Sequence, residues 1–104
     1  MNDRETVLNL IRNTVRQQEP TAEIILYGSR ARGDARPDSD WDVVVLIDKP
    51  KLTQMERADI AYDLWMKGVD IGEEINAREY TFNEWKNARP TLFQHFVKQE
   101  GIRL

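Results

Sequence analysis

A mixed α/β fold, of the α+β kind with a short mixed sheet of about three to four strands backed by helices, is predicted by three observations. Short apolar runs with strand character, IILY and VVVLI, alternate with segments whose apolar residues recur at helical spacing. The second apolar run is almost continuous, as in a strand covered on both faces. The segments between the strands are long enough to cross over the sheet. At 104 residues the chain fits one domain spanning 1–104, with no room for a separate substrate domain.

The first element is an amphipathic helix over Asn2 to Gln18, with Val7, Leu8, Leu10, Ile11 and Val15 on one stripe and Asp3 or Asn2 as its cap. Pro20 disfavours helix at the residue before it, so the chain turns there and enters a strand over Ala22 to Tyr27. A short helical turn over Ser29 to Gly33 fits the next stretch, and the second strand is Trp41 to Ile47. From Leu52 to Lys67 the residues Met55, Ala58, Ile60, Ala61, Leu64 and Trp65 recur at helical spacing, and Gly68 is placed to stop that helix. Beyond Gly72, EEINAREYT reads as a half-exposed third strand, with Ile75 and Ala77 on one side and Glu74, Asn76 and Arg78 on the other. Thr81 with Glu84 three residues later opens a short helix over Phe82 to Ala88, and Pro90 to Gln99 forms the last helix before Gly101.

Several function classes are excluded early. The chain has no cysteine, which removes disulfide frameworks, thiolate metal sites and cysteine nucleophiles. A net charge of −3 argues against a general nucleic-acid coat. No apolar stretch is long enough to span a membrane and the first residues lack a signal-peptide core, so a cytoplasmic location is expected. His95 has no companion at metal-binding spacing and reads as a helix-surface or partner-facing residue. Trp65, Trp85, Phe93 and Phe96 read as core or interface aromatics.

The chemistry is concentrated in GSRARGDARPDSDWD, residues Gly28 to Asp42, held between the first two strands. Asp40 and Asp42 lie two apart where a strand begins, so both carboxylates share a face. Like charges that close are best relieved by a hard divalent cation, and Mg²⁺ suits carboxylates completed by water and phosphate oxygens. Gly28 and Ser29, directly after a strand, offer backbone N–H groups and a hydroxyl to a phosphate, while Arg30, Arg32 and Arg36 supply permanent positive charge. Arg32 serves equally well as an internal partner for Asp34 or Asp40. The same residue types also build ordinary turns, and Asp38 with Ser39 suits the one before the strand. The whole arrangement of strand, Gly-Ser, ten residues, D-x-D and buried strand favours the chemical reading.

That arrangement, G-S-x10-D-x-D with Gly28, Ser29, Asp40 and Asp42 in register, resembles the signature of the DNA polymerase β-like nucleotidyltransferases. GSRARG followed by SDWD is similar to the minimal nucleotidyltransferase (MNT) branch, which pairs as an antitoxin with all-helical HEPN toxins. The resemblance implies a short mixed sheet with helices on one side. It implies Mg²⁺ at Asp40 and Asp42, and a nucleoside triphosphate, ATP, held by Gly28, Ser29, Arg30 and Ser39. It also implies a third carboxylate from the next strand, which falls best on Glu74, with Glu73 or Asp70 as alternatives. The expected function is transfer of an NMP, AMP from ATP, to a hydroxyl of a HEPN-type partner protein. The alternative is a catalytically weak or inactive binding module that neutralises such a partner by complex formation. A homo-oligomer is compatible with either.

Overall fold

The computed structural model describes residues 2–87 and 89–104. The elements are α1 (Arg4–Gln18), β1 (Glu23–Tyr27), α2 (Ser29–Arg32), β2 (Trp41–Ile47), α3 (Gln54–Asp70), β3 (Ile75–Thr81), α4 (Phe82–Asn87), α5 (Leu92–Glu100) and β4 (Ile102–Arg103). They form one four-stranded sheet in the order β3-β2-β1-β4. The two central strands run antiparallel, β4 adds antiparallel to β1, and β3 lies parallel to β2. A parallel neighbour requires a crossover, and α3 provides it.

Local chemistry explains most boundaries. The Asp3 carboxylate accepts the Thr6 N–H at 2.8 Å and caps α1. Thr53 and Glu56 exchange hydrogen bonds as a capping box at the start of α3, and Thr81 and Glu84 do the same before α4. The last residue expected in that short helix, Ala88, lies outside the described residues. Thr91 caps α5 by accepting the Gln94 N–H.

The period of two sorts the strand residues onto two faces. On one, Ile24, Leu26, Trp41, Val43, Val45, Ile47 and Ile75 pack with Val7, Ile11, Val15, Ile60 and Leu64 of α1 and α3. On the other, Ile25, Val44 and Leu46 meet Val97, Trp85 and Phe93 of α4 and α5. Helices therefore cover both faces, not one as the family resemblance implied. The second layer is short, because α4 and α5 have only six and nine residues. It leaves the Asp42 end of its face open.

Gly68 does not stop α3. The helix continues to Asp70, and the left-handed residue is Gly72, at φ 77°. Gly68 is instead buried where the chain folds back, and a Cβ there would stand 2.7 Å from the Glu73 carbonyl oxygen and 3.1 Å from Ile75 Cγ1. The obstacle is backbone and cannot swing away. Gly68→Ala should therefore lower stability by about 1–2 kcal/mol, the overpacking cost exceeding the gain in helix propensity. Urea denaturation checks this as a lower midpoint at unchanged slope.

Glu79 on β3 is buried beneath α3, and its Oε2 accepts the Ala61 N–H at 3.0 Å while Oε1 has no partner. Burial pushes its pKa up to about 7, and the Ala61 hydrogen bond offsets this only in part. A carboxyl with a raised folded-state pKa contributes stability that is present below its ordinary value of about 4.5 and lost as pH rises through about 7. The loss amounts to about 3 kcal/mol at most. Glu79→Gln, which cannot ionise, should gain on the wild type as pH rises. Thermal melts at pH 5 and pH 8.5 would show the gap opening only at the higher pH; an equal gap at both would refute the assignment.

Candidate active site

The turn after β1 and the start of β2 meet because the two strands pair antiparallel, with Tyr27 opposite Asp42. Parallel pairing then sets Asp42 opposite Asn76 on β3. Asp40, Asp42, Glu74, Asn76 and Arg78 thus gather at one end of the sheet, on the open part of the α4–α5 face.

Gly28 makes the approach possible. Its backbone sits at φ 76°, ψ −159°, a region that glycine alone occupies readily, and a Cβ on it would lie 3.0 Å from Asp42 Oδ2. The following four residues form the single turn α2, in which the Ala31 and Arg32 N–H groups both donate to the Gly28 carbonyl. The Ser29 and Arg30 N–H groups are then the ones without an intrahelical acceptor. Gly33, at φ 86°, closes the turn by donating to the Ser29 carbonyl.

The acids crowd one another. Asn76 Nδ2 donates to Asp40 Oδ2 at 3.3 Å and to Glu74 Oε2 at 3.1 Å, so a single neutral amide bridges the two carboxylates. Loss of solvation among its neighbours, then the adjoining Glu74 and Asp42 carboxylates, hold the exposed Asp40 above its ordinary pKa. Burial also raises Asp42; the Asn76 amide and Arg78 pull it back in part, and Glu74 adds to the rise. Of the three acids the sequence offered as a third carboxylate, Glu74 is the one beside Asp40. Glu73 is occupied elsewhere: it accepts the Trp41 indole N–H at 3.0 Å and the Asn2 amide at 3.2 Å. Asp70 is the exposed last residue of α3. Among the described residues no three acidic or histidine side chains converge into a ready-made metal cage. The donor set nonetheless fits a hard cation, since it consists of carboxylate oxygens whose mutual repulsion a cation would relieve.

The arginines divide their roles. Arg30 stacks its guanidinium 4.3 Å from the Trp41 ring centre and donates to the carbonyls of Ser39, at 2.9 Å, and Pro37, at 3.3 Å, tying the loop to β2. Trp41 is itself buried in the α1–α3 layer, as its place between the two aspartates predicts. Ser39 Oγ accepts the Arg36 N–H at 2.8 Å and shapes the turn. Arg32 pairs with Asp34 and Glu100, both at 3.2 Å, and not with Asp40. Glu100 also accepts the Gly28 N–H at 3.0 Å, which fixes the end of α5 to the turn.

Two residues at the site went unassigned in the sequence, Asn76 and Arg78. Arg78 lies near Asp42 and Tyr27, its guanidinium 4.4 Å from the Phe93 ring centre. The signal was present, since the alternation of β3 set both on the side of Glu74.

Such a site, with an acid pair against a glycine turn that exposes backbone N–H groups, is suited to a metal-bound polyphosphate. The sequence pattern described as the nucleotidyltransferase domain matches residues 8–100. The chain belongs to the nucleotidyltransferase domain family. Solved structures share the fold of this nucleotidyltransferase domain. One is a toxin–antitoxin with AMP-PNP, 22% identical at a TM-score of 0.66, the match covering 91% of this chain and 69% of that one. Another is a toxin–antitoxin MntA–HpeT in which two aspartates are changed to glutamate, 20% identical at a TM-score of 0.65, covering 91% and 69%. A third is a tyrosine-to-alanine mutant of MntA–HpeT, 22% identical at 0.65, covering 93% and 70%. No curated protein matches the chain significantly. No helix among the described residues of this nucleotidyltransferase domain is long and apolar enough to cross a membrane.

Proposed function

We propose that this nucleotidyltransferase domain transfers AMP from ATP to a hydroxyl of a protein partner in the cytoplasm, as the antitoxin of a HEPN/MNT pair, with Mg²⁺ as its metal. The observation that carries the reading is the contact at Gly28, where a Cβ would lie 3.0 Å from Asp42 Oδ2. The absence of a side chain there lets a phosphate-binding turn and an acid pair form one site. The fold neighbours support the partner and the nucleotide: they are toxin–antitoxin structures, one holding AMP-PNP, and one altered at two aspartates.

In this reading Asp40 and Asp42, with Glu74 beside them, hold the metal, which when bound neutralises charge on the phosphate oxygens. Ser29 and the free N–H groups of its turn hold the phosphate chain, and Arg78 adds positive charge on the same face. The partner's hydroxyl oxygen forms a bond to the α phosphorus, the bond from that phosphorus to the bridging oxygen of the β phosphate breaks, and pyrophosphate leaves. Glu74 takes the hydroxyl proton on Oε1, its Oε2 being held by Asn76. Arg30 and Ser39 act by fixing the loop around the nucleotide.

A second reading, a module that neutralises its partner by contact alone, is favoured by the way Glu74 is bridged to Asp40 through Asn76 rather than converging with both aspartates. Incubation of the purified chain with Mg²⁺, each labelled nucleoside triphosphate and the protein encoded beside it separates the two. Label on the partner from ATP supports transfer, whereas a stable complex without label supports the module.

A further inference from the structure

The helix α3 is apolar on two faces. Ile60, Leu64 and Gly68 are buried against the sheet. On the opposite side Met55, Tyr62 and Val69 recur every two turns, with Trp65 and Met66 beside them, and all five are exposed, Met55 at 79% and Tyr62 at 62%. A surface helix normally shows solvent a polar face. This one shows it a continuous apolar stripe about four turns long. At its N-terminal half the stripe borders a groove of about 420 Å³ floored by Met55, Ala58 and Tyr62.

One edge of the stripe is acidic. Asp59, Asp63 and Asp70 follow one another at helical spacing along the same flank, and among the described residues none of them forms an ion pair. Asp63 accepts only the Gln18 amide. This edge argues against a second copy of the chain as the occupant. A two-fold antiparallel pairing of α3 centred near Tyr62 returns the same flank to itself and sets Asp59 and Asp63 of one copy against Asp63 and Asp59 of the other. Four carboxylates would then meet at a closing interface, where like charges oppose association.

We propose that the outer face of α3 is a docking surface for a helix of a partner protein, one that presents an apolar ridge with lysines or arginines along the edge meeting Asp59, Asp63 and Asp70. An amphipathic helix laid against an apolar helical face buries the stripe, and the paired edges fix its direction. The inference goes beyond the transfer chemistry and does not depend on it, because α3 packs on the sheet face opposite to Asp42.

The test uses the full chain and two labelled helical peptides that share one apolar ridge, one carrying lysine and arginine along its edge and the other glutamate at the same positions. Fluorescence anisotropy at low salt is expected to show the basic-edged peptide binding about tenfold tighter or better, a preference that shrinks as salt is raised. Tyr62→Ser with Met66→Ser should weaken binding about tenfold or more. Asp59→Lys with Asp63→Lys should reverse the preference between the peptides. Asp40→Ala with Asp42→Ala should bind like the wild type, which separates failure of the site from failure of the surface. No binding, or equal affinity for both peptides, would overturn the proposal. So would a wild-type dimer in sedimentation that the Tyr62 and Met66 variant dissociates, since the stripe would then belong to a second copy.

Discussion

Replacing Asp40 and Asp42 together by asparagine is expected to reduce nucleotide transfer by about 10³-fold or more while leaving the domain folded. The two effects have one origin. Loss of solvation and the surrounding carboxylates raise both groups above their ordinary pKa, so ionising either one carries an opposing cost. A group with a raised folded-state pKa contributes stability below its unfolded value and loses it as pH rises. At pH 7 the asparagine variant should therefore be at least as stable as the wild type, and the difference should diminish as pH falls through the carboxylate range. A charge pair retained against its own electrostatic cost is what a site built for a cation looks like. Labelling assays and melts at pH 4.5 and 7.5 read the two predictions separately. Full labelling by the variant would show that the acids do not serve transfer; a marked loss of stability at pH 7.5 would show that they serve the fold.

Gly28→Ala is expected to have the next largest effect, about 10²-fold on transfer with a loss of about 2–3 kcal/mol in stability. Two costs combine there. The backbone at φ 76°, ψ −159° is strained for any residue with a Cβ, and that Cβ would lie 3.0 Å from Asp42 Oδ2. Either Asp42 moves or the turn does, and a reacting group displaced by about 1 Å loses much of its rate advantage. Gly33→Ala supplies the control. Gly33 is also left-handed, at φ 86°, but nothing lies within 4 Å of a Cβ built on it. It should lose about 1–2 kcal/mol for the conformation and keep its transfer activity. If the two variants lose activity equally, the glycines matter for the turn alone and the Gly28–Asp42 contact carries no function.

Local signals make much of this legible in the chain itself. Periodicity, an apolar run and an Asp cap placed α1, β2 and α5 within a few residues, because each is a property of neighbouring residues. The D-x-D at the start of a buried strand placed Asp40 and Asp42 together for the same reason, since the alternation of a strand is a local rule. Gly68 misled because a glycine near the end of a helix has two uses, to turn the chain or to let another segment approach. Only the fold reveals that Glu73 and Ile75 fill the space. The apolar residues of α3 do lie on one helix, but their spacing leaves its faces undetermined. Helical spacing says that Met55, Ala58, Trp65 and Leu64 lie on a helix, not that Leu64 faces the sheet and the others face solvent.

The sequence by itself determined the order of the elements as far as α5, the glycine turn between two buried strands and the acid pair that follows it, all of which depend on spacing along the chain. Tertiary structure alone decided what depends on distant segments meeting. It set Glu74 beside Asp40 through the Asn76 amide and gave Glu73 to Trp41 and Asn2. It brought Asn76 and Arg78 to the aspartates through the parallel β2–β3 register. It also made a two-residue strand of Ile102–Arg103 by pairing it with β1. Each of these is a contact between residues far apart in the chain, and neither propensity nor periodicity can fix which partner closes such a contact, because both describe only the neighbourhood of a residue.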